Sequence, residues 1–395
     1  MKCYLYCPNI KPKVIANILF ISSWYPNKED PTLGIFVQRH AEAAGIYNHV
    51  AVLHVQSDQS ISKANIQYSE NKTYKELIVN YPKVNSQLPR WANLTKVKQY
   101  KFHYNLGLTL LAEKGFIPDL VHCNIMNPVG LIAKYWKRKH QLPYVVTEHW
   151  TGYLESDGRY KKSTLLKLLI PSIARRSEMI LPVSDDLKRA LQKNRIGKNF
   201  NVVRNVVDTD QFFIQEKTKT GFLVVADLEN SQKNISGIIY SFQEVLYNNP
   251  NLQLHIAGGG TDEDQLKSLV EELNLSESIH FHGRISADGI NDLLAQSYAS
   301  VLFSNYENLP CVIVESFAAG VPFIATDVGG IREILHAERG ILIPARNQSA
   351  LVDAMLQTIQ TSWDKNTIRA YAVKHFSKAS IGKEFDHIYK SILGE

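Results

Sequence analysis

Apolar residues along this chain come in short unbroken runs separated by longer stretches of mixed polarity. The first half carries "NILFISS" (17–23), "HVAVLHV" (49–55), "KELIVNY" (75–81), "DLVHCNI" (119–125), "YVVTEH" (144–149), "MILPVS" (179–184) and "FNVVRN" (200–205). The second half carries "FLVVAD" (222–227), "LQLHIAG" (252–258), "SIHFHGR" (278–284), "SVLFSN" (300–305), "VPFIATD" (321–327) and "GILIP" (340–344). Runs of this length and density read as strands buried on both faces, and the stretches between them as helices. Strands alternating with helices give a parallel sheet covered on both sides. Two such series predict an α/β protein of two tandem Rossmann-like doubly wound domains facing across a cleft. The boundaries are an N-terminal extension at 1–13, a first domain at 14–207 and a second at 208–375. The stretch 376–395 reads as an amphipathic helix, "SKASIGKEFDHIYKSIL", packing back across the join near "NVVDTDQFF" (205–213). In open α/β sheets, ligands bind beyond the carboxyl ends of the strands. The polar residues at those ends are therefore the ones to weigh.

The stretch "SNYENLPCVIVESFAAGVP" (304–322) places Glu307 and Glu315 around one apolar run. Pro310 suits the first position of a helix, and Gly320 followed by Pro322 suits its stop. The run reads as a helix buried on most sides, so Glu315 calls for a partner, because a lone buried charge costs several kcal/mol or more. That partner belongs either to the protein or to a ligand.

Other candidates follow strands in the same way. Lys233 comes after the run 222–227 and opens "NISGIIYSFQEVL". A lysine at a helix N-terminus opposes the helix's own field. A bound phosphate would reverse that penalty; a solvated loop lysine is the plainer reading. Gly258, Gly259 and Gly260 permit close backbone approach to a phosphate or simply make a tight turn, and they lack the third glycine of G-x-G-x-x-G. Gly329 and Gly330 form a second such turn. His149 ends "PYVVTEH", either as a cleft donor or as a hydrogen-bonded structural histidine. Asp208 and Asp210 make a D-x-D at the domain join, far along the chain from the other phosphate candidates. No H-E-x-x-H, C-x-x-C, G-x-S-x-G or G-K-[ST] pattern occurs, which removes metalloprotease, serine hydrolase and P-loop readings.

Composition narrows the class. The chain has 395 residues, 45% hydrophobic and 21% charged, as in ordinary globular proteins. No apolar run approaches the roughly 20 residues of a membrane span. The run near the N-terminus lacks a small-residue cleavage site, so no signal peptide is expected and the cytoplasm is the expected compartment. Cys3, Cys7, Cys123 and Cys311 are too few and too scattered for a disulfide framework or a zinc site. Charge is uneven: residues 1–200 hold 29 Lys and Arg against 14 Asp and Glu (net +15), and the remainder 15 against 24 (net −9). Basic residues gather in "YPKVNSQLPRWANLTKVKQYKFHY" (81–104), with Arg90, Lys96, Lys98 and Lys101 beside Trp91, and in "RYKKSTLLKLLIPSIARRS" (159–177). Such segments are either a solvated face or a surface for something anionic, a membrane leaflet first.

Glu307-(seven residues)-Glu315, followed by "SFAAGVPFIATDVGGIREIL" and "GILIP", resembles the carboxy-terminal signature of the retaining glycosyltransferases of family 4 (glycosyl transferases group 1), which have the GT-B fold. The likeness runs back through "HFHGR", "HIAGGG", "ADLENSQKN", "RNVVDTDQF", "LPVSDDLK", "TEHW" and "SWYPNKEDPTLGIFVQRHAEA". It implies an acceptor-binding first domain and a second domain that binds a nucleotide-sugar donor. Glu315 would accept from the ribose hydroxyls, Glu307 would lie beside the donor sugar, and Lys233 would hold the diphosphate. Gly34 would mark a loop closing over the donor, and His149 would approach the sugar from the first domain. Backbone groups around Leu309, Pro310 and Cys311 would position sugar hydroxyls, with Gly258 and Gly283 in the neighbouring donor turns. The implied reaction is a retaining, metal-independent, hexosyltransferase-like transfer from a UDP- or GDP-linked sugar to a hydroxyl on a carbohydrate or lipid-linked acceptor, in surface polysaccharide or glycolipid assembly. No cofactor, metal or nucleic acid is implied, and the basic first domain would give peripheral contact with the inner membrane face. Two departures stand out. Where the family usually has an arginine after the first strand of the second domain, this chain has Ala226-Asp227, and Pro310 stands where glycine is frequent.

Three rival classes make different demands. An NAD-linked oxidoreductase requires a full G-x-G-x-x-G with an acidic residue after the next strand, which neither domain supplies. A non-catalytic nucleotide-sugar-binding protein would not require Glu307. A nucleic-acid binder accounts for the basic half, but no recognised nucleic-acid module is present.

Overall fold

The computed structural model describes residues 15–27, 33–83 and 89–394, with side chains from residue 95 onward in the last stretch. The expected extension 1–13 with Cys3 and Cys7, residues 28–32 of the first motif, and the side chains of Arg90 and Trp91 lie outside the described residues.

The chain forms two compact units. The first takes residues up to Val183, Lys188–Arg204 and the chain from Ile381 on; the second takes Ser184–Leu187 and Asn205–Ser380. In the first unit the strands are β1 (Asn17–Ser22), β2 (His49–Asp58), β3 (Asn65–Glu70), β4 (Tyr74–Pro82), β5 (Leu120–Asn124), β6 (Tyr144–Glu148) and β7 (Met179–Pro182). They lie in the order β3-β4-β2-β1-β5-β6-β7. All neighbours are parallel except β3, which runs antiparallel to β4 at the edge. The central strands β5 and β6 are buried at every residue, as expected of strands covered on both faces.

The second unit's strands are β8 (Gly221–Val225), β9 (Gln253–Ala257), β10 (Ile279–Gly283), β11 (Ser297–Leu302), β12 (Phe323–Thr326) and β13 (Gly340–Ile343), ordered β10-β9-β8-β11-β12-β13 and parallel throughout. Alternation along each strand feeds two cores. Phe222, Val224, Leu254 and Ile256 fill one, and Leu223, Leu302, Phe317 and Ala325 the other.

One predicted strand is absent and one unpredicted strand is present. The run 200–205 is not a strand: Phe200 makes a single bridge to Ile180, and beyond it Val203 still donates to the Pro182 carbonyl at 3.2 Å without extending the ladder. Its neighbour β7 ends at Pro182, which has no amide to donate, so the ladder stops. Strand β3, "NIQYSE", is mostly solvent-exposed and mostly polar, and the apolar-run criterion passes over it.

Candidate functional site

In the second unit β11 ends at Leu302, and a loop leads to the helix Cys311–Ala318. Pro310 caps that helix with an extended ψ of 128° and stands just before the first turn instead of within it. Glu307, in the loop, is only 6% exposed. Its Oε1 accepts from Lys233 Nζ at 2.6 Å and from the Ser304 hydroxyl at 2.8 Å. Lys233 closes a single helical turn, Asn230–Lys233, two residues before the helix Ile235–Asn248. The Glu307 carboxylate thus offsets the poor placement of a cation at a helix start.

Backbone bonds fix the two loops to each other. The Asn305 amide donates to the Gln232 carbonyl at 2.8 Å, and the Asn305 side chain donates to the Ser231 carbonyl at 3.0 Å. Gly329, at φ +57°, packs against the same loop: a Cβ there would stand 2.1 Å from the Glu307 carbonyl oxygen. The next amide, Gly330, donates to the Asn308 carbonyl at 2.8 Å. The Leu309 carbonyl accepts from the Asn205 side chain at 3.2 Å. Cys311 is partly exposed at the helix start. Glu315 is 7% exposed in the helix middle, between buried Val314 and Ser316. The turns after β9 and β10 are joined by Gly258, whose amide donates to the Gly283 carbonyl at 2.8 Å.

In the first unit, His149 follows β6, and its ring lies 4.0 Å from that of Phe36 and 5.5 Å from that of His40. Both partners belong to the helix Ile35–Ala44, which begins after Gly34. Gly34 has φ +67°, and a Cβ there would meet the Trp24 carbonyl at 2.4 Å, so no other residue fits. Gly34 and His149 are therefore gathered at one place by Phe36 and His40. Burial, with His40 and His122 nearby, holds the His149 imidazole well below the usual histidine range. It is a neutral hydrogen-bonding group at physiological pH.

Glu148, beside it, escapes sequence reasoning. It is fully buried and accepts from the amides of Met126, His149 and Trp150 at 3.1, 3.0 and 3.0 Å and from the Tyr153 hydroxyl at 3.2 Å. Burial raises its pKa against the pull of those bonds. Its role is to hold the turn that presents His149. The one available signal was a carboxylate ending an otherwise apolar strand.

Of the remaining candidates, Asp227 sits on the surface with Arg284 at 3.1 Å, and Asp208 is held by Lys378 at 2.5 Å. Among the described residues, no group of three or more His, Cys, Asp or Glu is arranged to hold a metal ion. No helix among them is long and apolar enough to cross a membrane.

Residues 207–375 match the family described as Glycosyl transferases group 1, and residues 39–211 that described as Glycosyltransferase Family 4. An uncharacterized glycosyltransferase of Methanocaldococcus jannaschii is 25% identical over 312 residues, covering 79% of this chain and 82% of its own. Sucrose-phosphate synthase from Thermosynechococcus elongatus superposes with a TM-score of 0.75 at 16% identity, over 96% of this chain and 99% of that one. Anabaena Alr3699/HepE in complex with UDP-glucose gives a TM-score of 0.70 at 16% identity, over 95% and 100% of the two chains.

Proposed function

Because the chain belongs to the group 1 glycosyl transferases of family 4 and has their GT-B fold, we propose that it moves a hexose from a nucleoside-diphosphate sugar to an acceptor hydroxyl with retention of anomeric configuration. The observation that carries this reading is the Lys233–Glu307 pair, buried at the carboxyl ends of the second unit's strands. A diphosphate arriving at Lys233 competes with Glu307 for the ammonium group. Donor binding then turns Lys233 toward the leaving phosphate and frees Glu307 to face the sugar. As the glycosidic bond to phosphate breaks, positive charge grows on the sugar ring and negative charge on the phosphate. Lys233 stabilises the second, and Glu307 stands beside the first. Glu315 takes the ribose hydroxyls, and the departing phosphate accepts the acceptor's proton, so neither a metal nor a protein base is required. His149, neutral and fixed by its neighbours, donates to a sugar hydroxyl.

The Anabaena protein was solved with UDP-glucose, which favours a uridine nucleotide here. Surface polysaccharide or glycolipid assembly fits an acceptor at a membrane. The helix Thr164–Ala174 exposes Leu165 by 64% and Leu168 by 70%, with Lys161, Lys162 and Lys167 close in sequence. Apolar side chains framed by ammonium groups suit peripheral binding to an anionic leaflet.

A thermal-shift panel of UDP, GDP, ADP and their sugar conjugates, with and without EDTA, tests the donor. Stabilisation by UDP and a UDP-hexose, unchanged by EDTA, is expected; no stabilisation by any nucleotide overturns the reading. NMR of the product's anomeric proton then reports retention or inversion.

A further inference from the structure

The first unit holds a cavity of about 650 Å³ that the reading above leaves unused. This is within the ~300–1,000 Å³ typical of small-molecule sites. It lies at the carboxyl ends of β2 and β4 and is flanked by the edge strand β3. Its lining is dominated by six carboxamides: Asn27, Gln56, Gln59, Asn65, Gln67 and Asn80. Among the described residues of its lining, Asp58 and Lys83 are the charged side chains, one of each sign. Two of the amides are anchored. Gln56 Nε2 donates to Asn80 Oδ1 at 2.8 Å, and Gln56 Oε1 lies 3.3 Å from Nε2 of the buried His54, whose Nδ1 is 3.0 Å from the Ser22 carbonyl.

This lining selects a chemistry. A carboxamide donates twice and accepts through its carbonyl, so it matches sugar hydroxyls, which also do both. An anionic ligand would find one lysine in this lining and, with it, a carboxylate that repels it. An apolar ligand would cover the amides of Gln59, Asn65 and Gln67 without offering them hydrogen bonds, at a cost for each. Pro26, Ile61 and Ile78 supply apolar surface for the C–H face of a sugar ring.

We propose that this cavity is the acceptor site and that it takes the neutral, polyhydroxylated terminus of a glycan, not a sugar phosphate or a lipid phosphate. The acceptor role rests on the glycosyl-transfer reading; the ligand class rests on the cavity alone. The test is saturation-transfer NMR on the full chain with the methyl glycosides of glucose, galactose, mannose and N-acetylglucosamine, alongside glucose 6-phosphate and mannose 6-phosphate. At least one neutral glycoside is expected to bind. Gln56→Ala/Asn80→Ala should weaken it about ten-fold, as expected for two lost hydrogen bonds. Asn65→Ala/Gln67→Ala, at exposed positions of β3 outside the core, should weaken it likewise and guards against an effect of misfolding. Binding that both double variants leave unchanged, preference for the phosphorylated sugars, or no glycoside binding at all overturns the proposal. Nucleotide stabilisation is measured separately: its absence in the wild type removes the acceptor role while the ligand class stands.

Discussion

Lys233 Nζ and Glu307 Oε1 meet at 2.6 Å across 74 positions of sequence, in surroundings that leave the two side chains 16% and 7% exposed. Removing one member of such a pair leaves the other charged and largely desolvated. Lys233→Ala should therefore destabilise the protein by about 3 kcal/mol, the low end for buried pairs because Lys233 keeps some contact with water. Urea unfolding measures this. Lys233→Met/Glu307→Gln should recover much of the loss, and a double variant no more stable than Lys233→Ala would refute the pairing.

Glu307 and Glu315 should separate into two phenotypes. Glu307→Gln is expected to keep UDP-induced thermal stabilisation and lose nearly all transfer. Glu315→Ala should instead weaken UDP at least ten-fold, the order of a lost charge-assisted hydrogen bond. Equal loss of nucleotide binding in both variants would contradict the assigned roles.

Gly329→Ala tests the support beneath Glu307. The Cβ would face a carbonyl 2.1 Å away at a φ of +57°, so the loop must shift and the residue is strained besides. A loss of more than about 1 kcal/mol is expected, with transfer falling further than stability alone explains. A variant with wild-type melting temperature and turnover would show that the loop has slack.

Much of this was legible in the chain because parallel strands buried on both faces leave continuous apolar runs. Where a strand is exposed, as β3 is, that signal vanishes. Where apolar residues line an edge strand without forming a ladder with it, as at 200–205, the signal misleads. Strand ends pointed to Lys233, Glu307 and His149 separately, but their partners were hidden. The bond between Lys233 and Glu307 spans the fold, and Glu148 binds mainly backbone amides, which carry no side-chain identity for a sequence to display.

Buried histidines should make the protein acid-sensitive. Burial lowers the pKa of His40 to about 4 and holds His122 and His149 well below their usual range. Unfolded, each titrates near ~6.5. Below that pH the unfolded chain binds protons that the folded one refuses, so stability falls as pH drops from 6.5, and His40 stops contributing below about 4. The slope is about 1.4 kcal/mol per pH unit for each histidine. Urea midpoints between pH 7 and 5 should show it, and His40→Gln should flatten it by one proton; an unchanged slope would count against His40.

Membrane contact should depend on both halves of the exposed surface. Leu165→Ser/Leu168→Ser and Lys161→Glu/Lys162→Glu/Arg175→Glu/Arg176→Glu should each reduce sedimentation with phosphatidylglycerol vesicles at least five-fold, since each basic residue contributes about 1 kcal/mol near an anionic surface. High salt should release the wild type. Binding indifferent to all of these would exclude this helix as the contact.

The helix Lys378–Leu393 comes after the second unit's strands in the chain, yet from Ile381 it belongs to the unit encoded before them. Tyr389 reaches His122 at 2.6 Å, and Phe385 lies against both His40 and His122. The first unit's interior thus stays open to solvent until the whole of the second has been synthesised. During that interval its exposed core is the part of the nascent chain most in need of a chaperone. A premature stop after Ser380 would leave the second unit's sequence intact and still cripple the unit made before it.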